Sequence, residues 1–418
     1  MEVVPRKRRP YSTLEKIEMK KTLVALAAAS AVSAFAQVTL TGIMDAGYQS
    51  GKEYGADAKT VVQNGSRTTA IKFIGVEDLG GGLKAKFQFE ADPAITAAAG
   101  NNNNTPYAVP AAGLTANGTA QVTASKNQAA AQSGLVGAGY NYVMLESATL
   151  GSIEFGTINT NTLATQGLGA QKFGTAIGSG YKKIWADLTR YENAWSYKTP
   201  VFKGFSATYL NGVGNDSQYG STTTVILRRP TVNEIGLNYD QGPVSVKAAI
   251  LTSTTSANEA AVSGTAAAAS NVRTTYNTLA ATYDFGVAKV GYGYQTTKSN
   301  AGLDTSNLDH GANLKATMYT VTAPVGAVTL LANIGSRTTN NNGGVAAVQT
   351  ALNGQKSTFT GLGAHYNFSK NTYAYYMYER ATMSDVDMTA TIINGALGVN
   401  ATSDRTRNVT AIGISTAF

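Results

Sequence analysis

The chain has 418 residues, 33 Lys and Arg against 25 Asp and Glu, a formal net charge of +8, two histidines and no cysteine. The last count excludes a disulfide scaffold, thiol catalysis and a cysteine-ligated metal centre. The basic excess does not mark a nucleic-acid binder: seven basic and three acidic residues fall in the first 36 positions, leaving about +4 on the remaining 382.

Residues 1–18 read as an upstream extension that precedes the true start at Met19. Residues 19–36 read as a secretory signal peptide. Met19-Lys20-Lys21 leads into the apolar run Thr22 to Ser33, and Ala34-Phe35-Ala36 closes it. The run is too short to span a bilayer, and the A-x-A ending predicts cleavage before Gln37. The competing reading of Arg6 to Arg9 as a nucleic-acid-binding arm leaves the following segment unexplained.

Residues 37–418 read as one large all-β unit. The chain holds only 9 prolines, nothing resembles a linker, and strand-like alternation recurs to the last residue. The first strand is VTLTGIMDAGY, followed by a polar loop to about Ser66. In LKAKFQFE, Leu83, Ala85, Phe87 and Phe89 share one face while Lys84, Lys86, Gln88 and Glu90 share the other. Such a strand has an apolar side facing a core or lipid and a polar side facing water. Residues 92–138 form a long Ala/Asn/Thr-rich excursion containing Asn101 to Asn104.

A second long loop with a different composition follows. Ile153 and Phe155 alternate with Glu154 and Gly156 before it; after it Tyr191, Trp195 and Tyr197 alternate with Arg190, Glu192 and Ser196. The intervening stretch is rich in Gly, Thr and Asn yet carries Phe173, Ile177, Tyr181, Ile184 and Trp185. A loop with so much apolar side chain packs against something, and we read it as folding into a pore.

Short turns fall near Leu79–Gly82, Thr149–Gly151, Pro200–Gly204, Asp240–Pro243, Asp284–Val287, Ala323–Gly326 and Asn367–Asn371. Two strands and one long polar loop separate successive turns, the asymmetry of an outer-membrane barrel. Seven turns join fourteen strands, and a free strand at each end makes sixteen. Tyr239, Tyr283 and Tyr366 stand directly before three turns, the place of a periplasmic aromatic girdle. In the last strand Ile412, Ile414, Thr416 and Phe418 point one way and Ala411, Gly413, Ser415 and Ala417 the other.

Taken together, QVTLTGIMDAGY, GVEDLGGGLKAKFQFE, LESATLGSIEFG and RYENAWSYKTPVFKGFSATY, with Phe418 at the end, give the chain from Gln37 onward a resemblance to the Gram-negative general-diffusion porins, β-proteobacterial branch. The resemblance implies a 16-stranded antiparallel transmembrane β-barrel with an inward-folded third long loop, usually as a homotrimer in the outer membrane. It also implies a C-terminal aromatic, here Phe418, read by the barrel-assembly machinery. The constriction loop carries over to about residues 158–189, with Lys172, Lys182, Lys183 and Asp187 as its charges. Alternation adds Lys72, Lys84, Lys86, Glu154, Arg190, Glu192, Lys247, Lys289, Arg380 and Arg407 as lumen candidates. Basic groups outnumber acidic ones, which favours small inorganic anions among the hydrophilic solutes that diffuse through. Three positions where family members often carry a basic residue hold Ile74, Gly139 and Thr157 here.

The competing functions are a substrate-specific outer-membrane channel, an adhesin-like barrel, a soluble β-sandwich and a membrane-embedded enzyme. For catalysis the chain offers no evident nucleophile–base pairing; His365 reads as a lumen-facing polar residue and His310 as a loop residue beside Asp309. No cofactor is implied. The pairs Asp304/Asp309 and Asp385/Asp387 lack a dense oxygen-ligand pattern; they either hold divalent ions with lipopolysaccharide or are solvated.

Overall fold

The computed structural model describes residues 37–53, 56–93, 95–96, 139–174, 176–181, 183–185, 189–214, 221–222, 225–226, 231–255, 272–299, 313–340, 354–382, 391–393, 396–398 and 406–418. The leader, Asn101 to Asn104, Lys182, Asp187, Asp304, Asp309, His310, Asp385 and Asp387 lie outside them.

Sixteen long strands among the described residues form one antiparallel sheet. They are β1 (Gln37–Glu53), β2 (Ala70–Gly80), β3 (Leu83–Ala91), β4 (Asn141–Ser147), β5 (Gly151–Asn159), β6 (Arg190–Lys198), β7 (Phe205–Gly212) and β8 (Thr231–Gln241). The series continues with β9 (Val244–Thr255), β10 (Val272–Asp284), β11 (Lys289–Ser299), β12 (Asn313–Val325), β13 (Val328–Asn340), β14 (Lys356–Asn367), β15 (Thr372–Thr382) and β16 (Thr406–Ala417). Each pairs with its neighbour in sequence, and β16 pairs back onto β1 from Ile43↔Ala417 to Glu53↔Arg407. The ring is therefore closed. Gly42 and Phe418 exchange both backbone hydrogen bonds at 3.0 Å, so the final residue is itself part of the seam.

The seven short connections fall where the turn residues predicted them, and the strand ends joined by the longer connections lie at the opposite end. At β2–β3, Gly80, Gly81 and Gly82 all adopt positive φ with open space around them; the backbone conformation, not packing, requires glycine there.

Outside, the wall is apolar. Phe87, Val143, Phe155, Ile235, Leu237, Ile250, Leu330, Leu362, Ile412 and Ile414 are all exposed, and Ile412 retains 63% of its surface. Near the short turns Phe205 packs on Tyr239 at 4.4 Å, Tyr283 on Phe285 at 4.6 Å and Tyr366 on Phe368 at 5.2 Å. This is the girdle expected from the tyrosines before the turns. Inside, Asp45, Gln49, Glu154, Ser196, Glu234, Thr278, Gln295, Asn333, Glu379 and Ser415 are buried. The exposed-apolar, buried-polar arrangement inverts a water-soluble sandwich and fits a wall standing in lipid.

One correction concerns β6. A register shift opposite Gly156/Ile158, with Asn193 at φ 53°, breaks its alternation. Trp195 and Tyr197 stay on the outer face, where Trp195 packs on Tyr209 at 5.4 Å. Tyr191 instead packs against the interior cluster of Ile158, Ala194, Leu210, Val232, Leu251 and Tyr276. A bulge adds one residue, and one residue flips the face.

If the outer face meets lipid, Ile412→Arg should cost about 2–4 kcal/mol in urea unfolding from bilayers. A water-exposed isoleucine would change stability by no more than about 0.5 kcal/mol.

Candidate functional site

The site is the lumen, built by the loop between β5 and β6. Its neck is closed by Thr160 N donating to Thr189 O at 3.1 Å. From there the chain enters a helix, α1 (Asn161–Ala170), which Thr160 caps by accepting from Leu163 N at 2.9 Å. The sequence reading missed α1. Its Gly and Thr content resembles a coil, and only the Thr160 cap marks its start.

Two wall carboxylates hold the loop. Glu234 on β8 accepts from Asn161 N at 2.6 Å, Asn161 Nδ2 at 2.9 Å, and Thr162 N and Oγ1 at 2.7 Å each. It satisfies the free amides of the first turn and places negative charge at the positive end of the helix dipole. Further along, Gln171 Nε2 donates to Lys289 O and Thr320 O at 3.3 Å. These partners lie toward the short-turn ends of β11 and β12, so this part of the loop reaches toward that mouth. The chain then returns upward to Glu379 on β15, which accepts from Gly178 N at 2.8 Å. Asn333 Nδ2 donates to Gly178 O and Ser179 O at 3.1 Å.

Apolar packing fills in between. Ala170, Phe173 and Ile177 lie with Leu331, Tyr375, Met377, Val409 and Ala411; Ile184 and Trp185 lie with Ala316, Met318, Phe359 and Ala381. The wall is notched to receive the loop. A Cβ on Gly361 would stand 2.2 Å from Gly178 O, and one on Gly293 would stand 2.3 Å from the Trp185 ring.

Several expected lumen charges are in place and mostly paired. Lys72 meets Glu90 at 2.9 Å and Lys86 meets Glu146 at 2.7 Å. Lys84 is exposed on the same face of β3 as Lys86. Glu154 is buried and accepts from Tyr140 OH and, at 2.7 Å, from Ser196 Oγ. Arg190 lies 3.7 Å from Asp92, whose carboxyl burial pushes up to about 6 against the pull of Arg190. Glu192 is half-buried, and the bulge that turns Tyr191 inward puts Arg190 and Glu192 on the outer phase, a correction to their expected place on the lumen face. Lys247 and Lys289 share the inward phase of Ala249 and Gly291, and Lys172 is exposed on the loop.

Lys183 is not presented to water. It is buried, 3.2 Å from Glu379, which also takes Arg407 Nε at 3.0 Å; Arg407 reaches Glu53 at 3.4 Å. Arg380 is a correction: it is exposed on the outer phase of β15 with Tyr376, while Glu379 points inward. Neighbouring Glu and Arg cannot be phased by polarity, and the loop makes the inner face here as apolar as the outer one. His365 is buried on the inward phase, as expected. Sequence reasoning missed Glu234, Arg67 and Asp45. The first anchors the loop from 73 positions away. No group of His, Cys, Asp and Glu that could hold a metal occurs among the described residues.

Removing the shared carboxylate in Glu379→Ala leaves two buried cations poorly compensated, an expected loss of about 3–5 kcal/mol. Lys183 in the folded protein should then react with an amine reagent, read by mass spectrometry. Unchanged protection of Lys183 would show that the loop seats without this ion pair.

The profile of the Gram-negative porins matches residues 22–386. The chain is 28% identical over 371 residues to outer membrane porin protein 32 of Delftia acidovorans, covering 85% of this chain and 88% of that one. It is 27% identical to an outer membrane porin protein of Bordetella pertussis, covering 89% and 98%. Among solved structures, the anion-selective porin from Comamonas acidovorans superposes with a TM-score of 0.59 at 23% identity, covering 92% of this chain and all of that one. Salmonella typhi OmpF gives 0.59 at 14% identity, covering 92% and 98%. The trimer form of Vibrio cholerae OmpT gives 0.58 at 12% identity, covering 92% and 99%. With a closed sixteen-stranded wall, an apolar exterior and a family match over most of its length, the chain belongs to the Gram-negative porins, the β-barrel channels of the outer membrane.

Proposed function

We propose that this porin passes small hydrophilic solutes by passive diffusion with a mild preference for inorganic anions. The observation that carries the preference is what the inner carboxylates do. Glu234 and Glu379 accept from loop amides, and Glu90, Asp92 and Glu379 face cations. Their fields are largely compensated, whereas Lys172 and Lys84 are exposed. In a narrow passage with low-dielectric walls a small uncompensated positive excess biases ion traffic. Lys182 and Asp187 belong to the same proposed constriction set, with Lys72, Lys86 and Glu154 on the walls.

Further parts of the reading follow from the family. The protein works as a homotrimer among outer-membrane lipid and lipopolysaccharide, is exported by residues 19–36, and uses Phe418 as its assembly signal. It is not an enzyme. Ser66 Oγ and His365 Nε2 are 3.2 Å apart, but the Asp45 carboxylate accepts from the amides of Gly65, Ser66 and Arg67 and from Tyr375 OH, which leaves that pair without the orienting acid of a triad.

In a planar bilayer under a potassium chloride gradient, the purified protein should conduct stepwise with an anion-side reversal potential, and Lys172→Glu should move it toward the cation side. Lowering the pH through about 6 protonates Asp92, removes a negative charge beside Arg190 and should move the potential further to the anion side. A cation-side potential at neutral pH would overturn the preference and leave the channel standing.

A further inference from the structure

A second inward projection comes from the segment between β1 and β2. The upper half of β1 pairs with residues 60–63 (Ala46↔Gln63 to Gln49↔Thr60) and its lower half pairs with β2. Residues 64–69 therefore leave the sheet between two paired stretches. Asp45 holds this excursion on the inner face: its Oδ1 accepts from Gly65 N at 2.7 Å and Ser66 N at 3.3 Å, and its Oδ2 from Arg67 N at 3.0 Å. Thr69 closes the segment, donating its hydroxyl to Asp45 O at 3.2 Å. Gly65 allows the close approach; a Cβ there would stand 2.3 Å from Tyr375 OH.

The excursion delivers Ser66 and Arg67 to the lower wall of β14–β16. Ser66 Oγ is 2.8 Å from Tyr373 OH and 3.2 Å from His365 Nε2, and the His365 and Tyr373 rings stack at 4.3 Å. Arg67 lies over the Tyr373 ring at 4.9 Å, donates from Nε to Ser415 Oγ at 2.9 Å and from Nη2 to Asn371 O at 3.3 Å. Asn371 belongs to a short turn, so Arg67 stands at the periplasmic end of the lumen. The lowest part of the constriction loop comes to the same place, since Phe173 shares a cluster with Tyr375 and Tyr373 packs against it. Lys172 is the exposed neighbour of Phe173 in the chain.

We infer that Arg67 and Lys172, with the hydroxyl of Tyr373, form a binding station for small oxyanions, carboxylate or phosphate, on the periplasmic side of the constriction loop; Ser66, buried, holds Tyr373 in place. This rests on the porin reading but uses none of the wall lysines. A guanidinium has five N–H donors, and the two contacts above aim Arg67 without using them all. Its face is fixed on an aromatic ring, which preorganises the fork for a planar or tetrahedral oxyanion. The carboxylate in the cluster, Asp45, is fully buried and accepts from the amides of Gly65, Ser66 and Arg67 and from Tyr375 OH, donors that compensate its charge beside the station.

The test is chloride current through single trimers in a bilayer as inorganic phosphate is added at constant ionic strength. Wild-type channels should show a saturable, phosphate-dependent reduction. In Arg67→Gln and in Lys172→Gln, read only in channels that still open stepwise, the phosphate needed for half reduction should rise about three- to tenfold, the loss of one charge-assisted contact. If Arg67→Gln fails to insert, Lys172→Gln at the exposed loop position gives the same reading. An undiminished effect in the variants, or conducting wild-type channels indifferent to phosphate, would overturn the station and leave the porin intact. Inserted protein without conductance would instead overturn the channel reading on which it rests.

Discussion

Everything in this molecule depends on the pairing of β16 with β1. A membrane-spanning sheet with an open edge would leave a row of amides and carbonyls in hydrocarbon, each costing several kcal/mol. The seam removes that edge along eleven residue pairs, and the exchange between Gly42 and Phe418 carries it to the last residue. Closure then fixes what each side chain can be. The outer phase must be apolar because it has no water to face, and the inner phase is free to be polar because the enclosed space is wet. The alternation in LKAKFQFE is this constraint expressed in sequence.

A closed wall makes a tube, but the tube's function depends on what obstructs it. The constriction loop is long, and the wall supplies partners for backbone groups that a free loop would leave to water. Glu234 takes the first amides of α1, Glu379 takes the amide of Gly178, and Asn333 caps two of the loop's carbonyls. Between these polar anchors Phe173, Ile177, Ile184 and Trp185 bury apolar surface against the inner wall. Charge at the constriction therefore has two roles that compete: a carboxylate or lysine spent on anchoring, as in the Glu379–Lys183 pair, contributes little to the field that a passing ion meets.

These roles also explain what could be read before the structure. The strands, the seven short turns, the aromatic girdle and the existence of a packed loop were legible, since each follows from a local rule: period two, turn residues, or apolar content where a loop should be polar. The failures fall where the loop touches the wall. There Leu331, Phe359, Tyr375, Met377 and Val409 make the inner face apolar, the two faces become alike, and Arg380 was assigned to the wrong one. The bulge at Asn193 flipped Tyr191 without any sign in composition. Glu234, Asp45 and Arg67 act on segments to which nothing in their neighbouring sequence ties them; such pairings are set by closure of the ring and are invisible to any window of local sequence.

The notches at Gly293 and Gly361 give the wall a memory of the loop it carries. Because the seats for Trp185 and Gly178 are cut into β11 and β14, and the polar anchors sit on β8, β13 and β15, the loop's shape is stored on strands distant from it in sequence. Bore diameter is thus a property of the wall as much as of the loop. A loop transplanted alone into another barrel would arrive without its seats, whereas recutting the glycines would reshape the aperture with the loop untouched. For anyone wishing to widen or narrow this channel, the place to work is the glycines of the opposite wall.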